Sequence, residues 1–160
     1  LITLVQAFSK LIKIRKARLV FVGIGSEYQK LRLYIKNNKI DKYVKIINFQ
    51  SNPFKFISLA DVKVLTSKYE GNPNILLEIA CLKKLIISTN CKVGPSEILQ
   101  RGKGGILFKV GDSQRLYNIL KNIKIRDKKI KNKINISYSY VKNNFQKDIS
   151  EPFIRIIEKL

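Results

Sequence analysis

The sequence predicts an α/β fold in which a doubly wound parallel sheet carries helices on both faces. Short β-branched runs, such as RLVFVG and LIIST, alternate with longer stretches whose apolar residues recur at helical spacing. Such alternation along a chain is typical of parallel sheets. A length of 160 residues with 45% hydrophobic residues suits one domain with one core.

Five strands are predicted, each from a short run of apolar and β-branched residues that ends at a turn signal. They are residues 18–23, 43–49, 62–65, 85–89 and 105–108. Ligands of such sheets sit beyond the C-terminal ends of the strands, so the loops that follow the strands are the candidate sites. Five strands also fit a doubly wound domain with one further strand before Leu1.

Eight helices are predicted from apolar spacing and from helix-start signals, including Ser26 as a cap and Pro53, Pro73 and Pro152 near first turns. They are residues 1–12, 26–38, 53–59, 74–82, 95–100, 113–123, 128–145 and 151–160. Because the chain has no Met and opens directly on a helical pattern, we expect it to be a piece of a larger protein.

The composition limits the chemistry that this chain can perform. It contains no His, which excludes His-based triads, His metal sites and a His general base. The two cysteines, Cys81 and Cys91, lack metal-site spacing, and we expect free thiols, no bound metal and no cofactor. No stretch approaches the roughly 18 apolar residues of a membrane span.

A formal charge of +21 arises from 32 Lys and Arg against 11 Asp and Glu. Such a charge favours anionic partners: nucleic acid, lipid head groups or nucleotide phosphates. Composition drift is an alternative, since the chain is rich in Ile, Asn, Tyr and Phe as well as Lys. The region 121–147 is especially basic. It is interpreted either as a surface that contacts anionic membrane or as an ordinary surface helix.

The most informative stretch is EGNPNILLE, residues 70–78, which follows a strand and opens a helix. Backbone amides and the helix dipole at such a turn suit a phosphate group. Glu78 lies one turn after Asn74, where its carboxylate can accept from a ribose diol. Glu70 can accept from a sugar beyond the phosphates, so the stretch is compatible with a nucleotide-sugar. The alternative of two solvated acids remains open on spacing alone.

The region YEGNPNILLEIACLKKLIISTNCKVGPSEIL resembles the E-x7-E region of retaining GT-B glycosyltransferases of the group-one, or family-four, type. ARLVFVGIGSEYQKLR, KIINFQSNPFKFISLADVKVLTSKYEG and GGILFKVGDSQRL resemble the neighbouring stretches in the same order, over about residues 1–120. The resemblance implies the C-terminal, Rossmann-like half of a GT-B fold. It further implies a parent that transfers a hexose or N-acetylhexosamine, from a UDP-sugar, with retention, in bacterial surface polysaccharide synthesis.

On the sugar side, the resemblance implies that Glu70 is the catalytic-site acid and contacts donor hydroxyls. The turn residues Gly71, Asn72 and Pro73 are implied to line the sugar and diphosphate pocket. Lys68 precedes this turn and is placed to reach a phosphate, although a solvated loop lysine is an equal alternative.

On the nucleotide side, the resemblance implies that the amides of Asn74 and Ile75 hold the diphosphate and that Glu78 holds the ribose. Phe49 and Gln50, after the second strand, are implied to lie near the base. Relatives often have Gly and Pro where this chain has Leu82 and Lys84, so the helix must end differently here.

The expected partners are a nucleotide-sugar donor and an N-terminal acceptor domain of the same parent chain, with contact to anionic membrane and no nucleic acid. The expected location is the cytoplasm, at the inner face of the plasma membrane. The fragment alone is expected to be inactive. The alternative function is a basic module that binds nucleic acid or membrane on a transferase-like fold.

Overall fold

The structure is a computed structural model that describes residues 1–70 and 74–145. The chain forms two compact units. The first unit consists of residues 1–53 and 111–123, and the second consists of residues 54–110 together with those from 124 onward. Each unit is an α/β arrangement with its own parallel sheet and its own apolar core.

The predicted strands are present with similar bounds. They are β1 (Leu19–Val22), β2 (Val44–Ile47), β3 (Val62–Leu65), β4 (Leu85–Thr89) and β5 (Ile106–Phe108). The α-helices are α1 (Ile2–Leu11), α2 (Tyr28–Asn37), α3 (Phe54–Leu59), α4 (Asn74–Cys81), α5 (Pro95–Ile98), α6 (Ser113–Asn122) and α7 (Lys128–Phe145). The helix predicted at 151–160 lies outside the described residues.

The first unit pairs β1 with β2 in parallel, with Leu19 opposite Val44. Its core forms where α1 and α2 place their apolar faces together, around Val5, Leu31 and Ile35. Helix α6 packs on α1 through its own buried face. Arg15 donates from Nη1 to the carbonyls of Leu120 and Ile123, both at 3.0 Å. These hydrogen bonds satisfy carbonyl groups at the end of α6, where the helix itself supplies no donors.

The second unit pairs β3, β4 and β5 in parallel, with β4 in the centre. All five residues of β4 are buried, as expected for a central parallel strand, and its first three residues are apolar. Helices α4 and α7 pack against it, and the core includes Leu76, Leu77 and Ile86. This unit carries the loop that follows β3 and the helix that follows that loop.

The strand pairing differs from the single sheet that the sequence predicted. Within the described residues, β1 and β2 form a sheet of two in the first unit, and β3, β4 and β5 form a sheet of three in the second. Strand pairing is a tertiary property that local apolar runs do not specify. The predicted parallel direction is nevertheless found for every pair.

The start of α2 differs from the prediction, whereas the end of α4 closes without glycine or proline, as its sequence requires. Ser26 does not cap α2, because the capping position is Glu27 and its side chain makes no capping hydrogen bond. Helix α4 ends without a glycine. Its chain reverses at Lys83, which has a φ of 50°, while the amide of Lys84 donates to the carbonyl of Ile79 at 3.2 Å.

Candidate donor-binding site

The loop after β3 begins at the C-terminal end of a parallel strand, the sheet edge where ligands of α/β folds bind. The neighbouring strand β4 holds the start of this loop in place, because the Thr89 hydroxyl donates to the carbonyl of Ser67 at 2.7 Å. Thr89 is itself fully buried at the end of β4. The loop therefore leaves the sheet in a defined direction, and Glu70, at its far end, is half-buried.

Helix α4 begins at Asn74, so its first backbone amides point towards the end of this loop. Asn74 is exposed and Ile75 is half-buried. Among the described residues, no hydrogen-bond acceptor is found for the amides of these two residues. Free amides at a helix start suit an anionic group such as a diphosphate. Gly71, Asn72 and Pro73, which were predicted to line the same pocket, lie outside the described residues.

Glu78 lies one turn further along α4 and is half-buried. Its neighbours Leu77 and Ile79 are fully buried, so the helix is held firmly against the core on either side of it. Burial raises the pKa of Glu78 above its ordinary value, while the positive charge of Lys63 acts in the opposite direction. The carboxylate is thus an acceptor in a partly desolvated position, where a hydrogen bond from a hydroxyl group is stronger than in water.

Two further titratable groups respond to the same surroundings. Burial lowers the pKa of the Lys63 ammonium, and the Glu78 charge partly opposes this. Burial also raises the pKa of the Cys81 thiol, and Glu78 adds to the effect. The thiol is therefore held in its neutral form, which does not support a nucleophilic role for Cys81.

The remaining predicted site residues occupy more open positions. Lys68 is exposed, as a solvated loop lysine would be. Phe49 and Gln50 belong to the first unit, where Phe49 is 82% exposed and its ring has little protein contact. The Gln50 amide donates to the carbonyl of Phe49 at 3.1 Å, so this side chain folds back on its own backbone.

The first unit has a concave surface of its own, a cavity of about 230 Å³ at the end of β1 and the start of α2. The glycine turn there bends at Gly23, whose φ is 103°. Its walls are Leu1, Phe21, Val22, Gly23, Gly25, Ser26, Glu27, Tyr28, Leu31 and Ile46. None of the predicted site residues lines it.

Comparison with known proteins identifies the family. Residues 1–138 match the family model described as "Glycosyl transferases group 1". The chain belongs to this family. The match covers both units, including the loop after β3 and helix α4, so the resemblance to group-one transferases that the sequence indicated is confirmed.

Curated relatives of this group 1 chain are transferases. An uncharacterized glycosyltransferase of Methanocaldococcus jannaschii is 36% identical over 97 residues, which cover 60% of the chain and 24% of that protein. N-acetyl-alpha-D-glucosaminyl L-malate synthase of Bacillus anthracis is 32% identical over 109 residues, which cover 68% of the chain and 28% of the relative. The chain thus spans about a quarter of the length of these relatives.

Solved structures show that the fold is shared with GT-B glycosyltransferases. Anabaena HepE in complex with UDP-glucose has a TM-score of 0.81 at 20% identity, covering 99% of the chain and 44% of that protein. The lipopolysaccharide outer core galactosyltransferase WaaB has a TM-score of 0.71 at 22% identity, covering 98% and 45%. At these identities the likeness concerns the fold, which confirms the predicted Rossmann-like class.

Within the group 1 chain, the second unit carries Glu70 on the loop after β3 and Asn74, Ile75 and Glu78 on α4. The sequence interpretation missed Lys63, whose charge acts on Glu78. No local signal identified it, because Lys45 occupies the equivalent position in the apolar strand VKII of β2 and is exposed.

Proposed function

We propose that this chain is the donor-binding domain of a glycosyltransferase whose parent protein carries an N-terminal acceptor domain. The observation that supports this most strongly is the order of groups around the start of α4 in a group 1 family chain. Half-buried Glu70 precedes the helix, the amides of Asn74 and Ile75 have no acceptor among the described residues, and half-buried Glu78 follows one turn later. An anion at the helix start with hydroxyl groups on both sides has the chemical outline of a nucleotide-sugar.

In this proposal each group has a separate task. The Glu78 carboxylate accepts hydrogen bonds from the ribose, and the amides of Asn74 and Ile75 hold the diphosphate. Glu70 contacts the transferred sugar. As the glycosidic bond breaks, negative charge builds up on the leaving diphosphate, and amides that are already oriented stabilise that charge without reorganisation.

The proposed reaction is the transfer of a hexose or N-acetylhexosamine, from a UDP-sugar, to a saccharide or lipid-linked acceptor, with retention of configuration. Support for the donor class comes from relatives: HepE was crystallised with UDP-glucose, and the Escherichia coli relative is a lipopolysaccharide 1,6-galactosyltransferase, 32% identical over 99 residues, which cover 59% of the chain and 28% of that protein. Transfer requires the acceptor domain, so the chain alone is expected to bind donor weakly and not to turn over.

Calorimetric titration of the full-length parent with UDP-glucose and with UDP tests the assignment. Glu78→Gln should raise the dissociation constants of both ligands by about ten- to a hundredfold, because a charged acceptor for the ribose that they share is lost. Glu70→Gln should weaken UDP-glucose but leave UDP binding unchanged, because UDP lacks the sugar. Asp61→Asn, an exposed acid before β3, is the matched control. Equal effects of both glutamate variants on UDP would contradict the proposed order of groups.

Contact with anionic membrane is proposed for helix α7 and the segment before it. This surface is basic and exposed, and its residues are Lys124, Arg126, Lys128, Lys129 and Lys131. Each basic residue near an anionic bilayer contributes about 1 kcal/mol. Among residues 1–70 and 74–145, no helix has the length and apolar character needed to cross a bilayer.

Vesicle sedimentation of the full-length parent tests the membrane contact. Lys128, Lys129 and Lys131 changed together to Gln should reduce binding to phosphatidylglycerol vesicles, with little binding to phosphatidylcholine in either form. The control changes three exposed lysines of the first unit, Lys30, Lys36 and Lys39, to Gln. Equal losses in both triple variants would show that net charge alone, and not this surface, is responsible. Salt-sensitive RNA binding without vesicle binding would favour the alternative module.

A further inference from the structure

A side chain joins the end of strand β4 to the loop that follows β3. The backbone ladder between the two strands ends where Leu65 lies opposite Ser88. One residue later on β4, the hydroxyl of Thr89 donates to the carbonyl of Ser67, at 2.7 Å. This hydroxyl therefore continues the hydrogen bonding of the sheet into the loop, beyond the point where the backbone ladder stops.

Thr89 is itself held in a fixed position. It is fully buried, and as a β-branched residue it has restricted rotation about its Cα–Cβ bond. On the other side of β4, the amide of Asn90 donates to the carbonyl of Phe108 at 2.7 Å, which ties the end of the strand to β5. A donor held in this way keeps its acceptor, the Ser67 carbonyl, at a defined place relative to the sheet.

The loop has few other attachments. Within residues 1–70 and 74–145, no further hydrogen bond is found between residues 67–70 and other parts of the chain. Lys68 is exposed, Tyr69 is 71% exposed, and half-buried Glu70 forms no hydrogen bond or ion pair with a described residue. The position of the Glu70 carboxylate therefore depends on the loop backbone, which Thr89 holds on the side of the strand.

Helix α4 is held in a different way. Leu76, Leu77, Ile79 and Ala80 are all fully buried in the core of the second unit. Apolar burial of four side chains does not depend on a single hydroxyl group. The two parts of the candidate site thus have separate supports, since core packing holds the groups on α4 and a hydrogen bond from Thr89 holds the loop that leads to Glu70.

We propose that Thr89 is a positioning residue for the sugar part of the donor site: its hydroxyl holds the loop backbone so that Glu70 meets the transferred sugar. This rests on the proposed function, in which Glu70 contacts that sugar. Because α4 is held independently, loss of the hydroxyl should weaken the sugar contact and leave the nucleotide contacts unchanged. A general structural role of Thr89 would instead weaken both.

The experiment is calorimetric titration of the full-length parent with UDP-glucose, UDP-N-acetylglucosamine and UDP. Thr89→Val keeps the branched shape without the hydroxyl. It should raise the dissociation constant of the nucleotide-sugar that the wild type binds by about two- to tenfold, with UDP binding unchanged. Thr89→Ser retains the hydroxyl and should bind as the wild type does. Ser88→Ala is the matched control, because Ser88 is also fully buried but its hydroxyl donates to the carbonyl of Thr89, within β4.

A double-mutant cycle tests whether Thr89 acts through Glu70. In a Glu70→Gln background, Thr89→Val should have no further effect on nucleotide-sugar binding, because the contact that it positions is already lost. A threonine that only supports the fold would weaken binding by the same factor in both backgrounds. Thr89→Ala and Thr89→Ser form a second pair in which both variants lack the methyl group, so the comparison can be made even if Thr89→Val does not fold.

Three sets of results are distinguishable. Loss of nucleotide-sugar affinity in Thr89→Val, absent from Thr89→Ser and Ser88→Ala and abolished by Glu70→Gln, supports the proposal. Wild-type affinity in Thr89→Val, an equal loss for UDP, or a loss that persists in the Glu70→Gln background overturns it and leaves the donor site standing. A wild-type protein that binds neither nucleotide-sugar, or a Glu70→Gln variant that binds them as the wild type does, overturns the proposed function itself.

Discussion

At the scale of single residues, Gly105 shows how tightly the second unit is packed. A Cβ atom added there would lie 2.9 Å from the carbonyl oxygen of Ile86 and 2.9 Å from a methyl group of Leu99. The nearest obstacle is backbone of the central strand, which does not move easily. The position therefore requires glycine because of space, without any need for a positive φ.

Gly105→Ala should lower the free energy of unfolding by about 1–3 kcal/mol, the usual cost of forcing extra volume into a packed core. Gly25→Ala is the control, because a Cβ at Gly25 meets nothing within 4 Å and should be neutral or slightly stabilising. Urea unfolding of both variants and wild type gives the comparison. Equal stability of Gly105→Ala and wild type would show that the turn before β5 has room for a Cβ atom, which contradicts the close packing around Gly105.

Some individual residues of the candidate site could be proposed from the sequence, and others could not. Glu70 and Glu78 follow from a motif with recognisable spacing, and helix α4 begins where the pattern around them predicts. Lys63 was not predicted, because one lysine among 32 basic residues is indistinguishable from composition until the strand face on which it lies is known. Its relation to Glu78 depends on the packing of α4 against the sheet, which no local pattern contains.

At the scale of elements, two helices are followed by a lysine in the left-handed conformation, a position where glycine is usual. Lys39 after α2 has a φ of 53°, and Lys83 after α4 has a φ of 50°. Beyond Lys39 the amide of Ile40 donates to the carbonyl of Ile35 at 3.2 Å, so the turn closes despite the side chain. The left-handed conformation is costly for any residue with a Cβ.

Lys39→Gly should therefore raise the free energy of unfolding by about 1 kcal/mol, because it relieves this conformation. The same substitution three residues earlier, Lys36→Gly, should lower it by about 0.5–1 kcal/mol, because Lys36 lies within α2. Both residues are exposed. The two variants therefore remove the same side chain, once from left-handed backbone and once from helical backbone. Thermal and urea unfolding measure the difference, and a change of the same sign in both variants would contradict the assigned helix end.

At the scale of the whole molecule, local patterns predicted the elements better than their assembly. Apolar runs with β-branched residues identified the five strands that the structure describes, and helical spacing identified its α-helices but not the 3-10 helix Asp41–Tyr43. The grouping of strands into sheets of two and three was not predicted, since buried runs such as LIIST carry no information about which neighbour pairs with them. Family membership extends over both units, so the donor-site hypothesis concerns a part of the chain that the match includes.

The central claim is that the loop after β3 and the start of α4 bind a nucleotide-sugar. Hydrogen–deuterium exchange of the full-length parent, with and without UDP-glucose, tests this most directly. The account predicts slower exchange in peptides that contain Glu70, Asn74 and Ile75, and loss of that protection in Glu78→Gln. Saturating UDP-glucose that leaves these peptides unchanged, or protects only α7, would contradict the account.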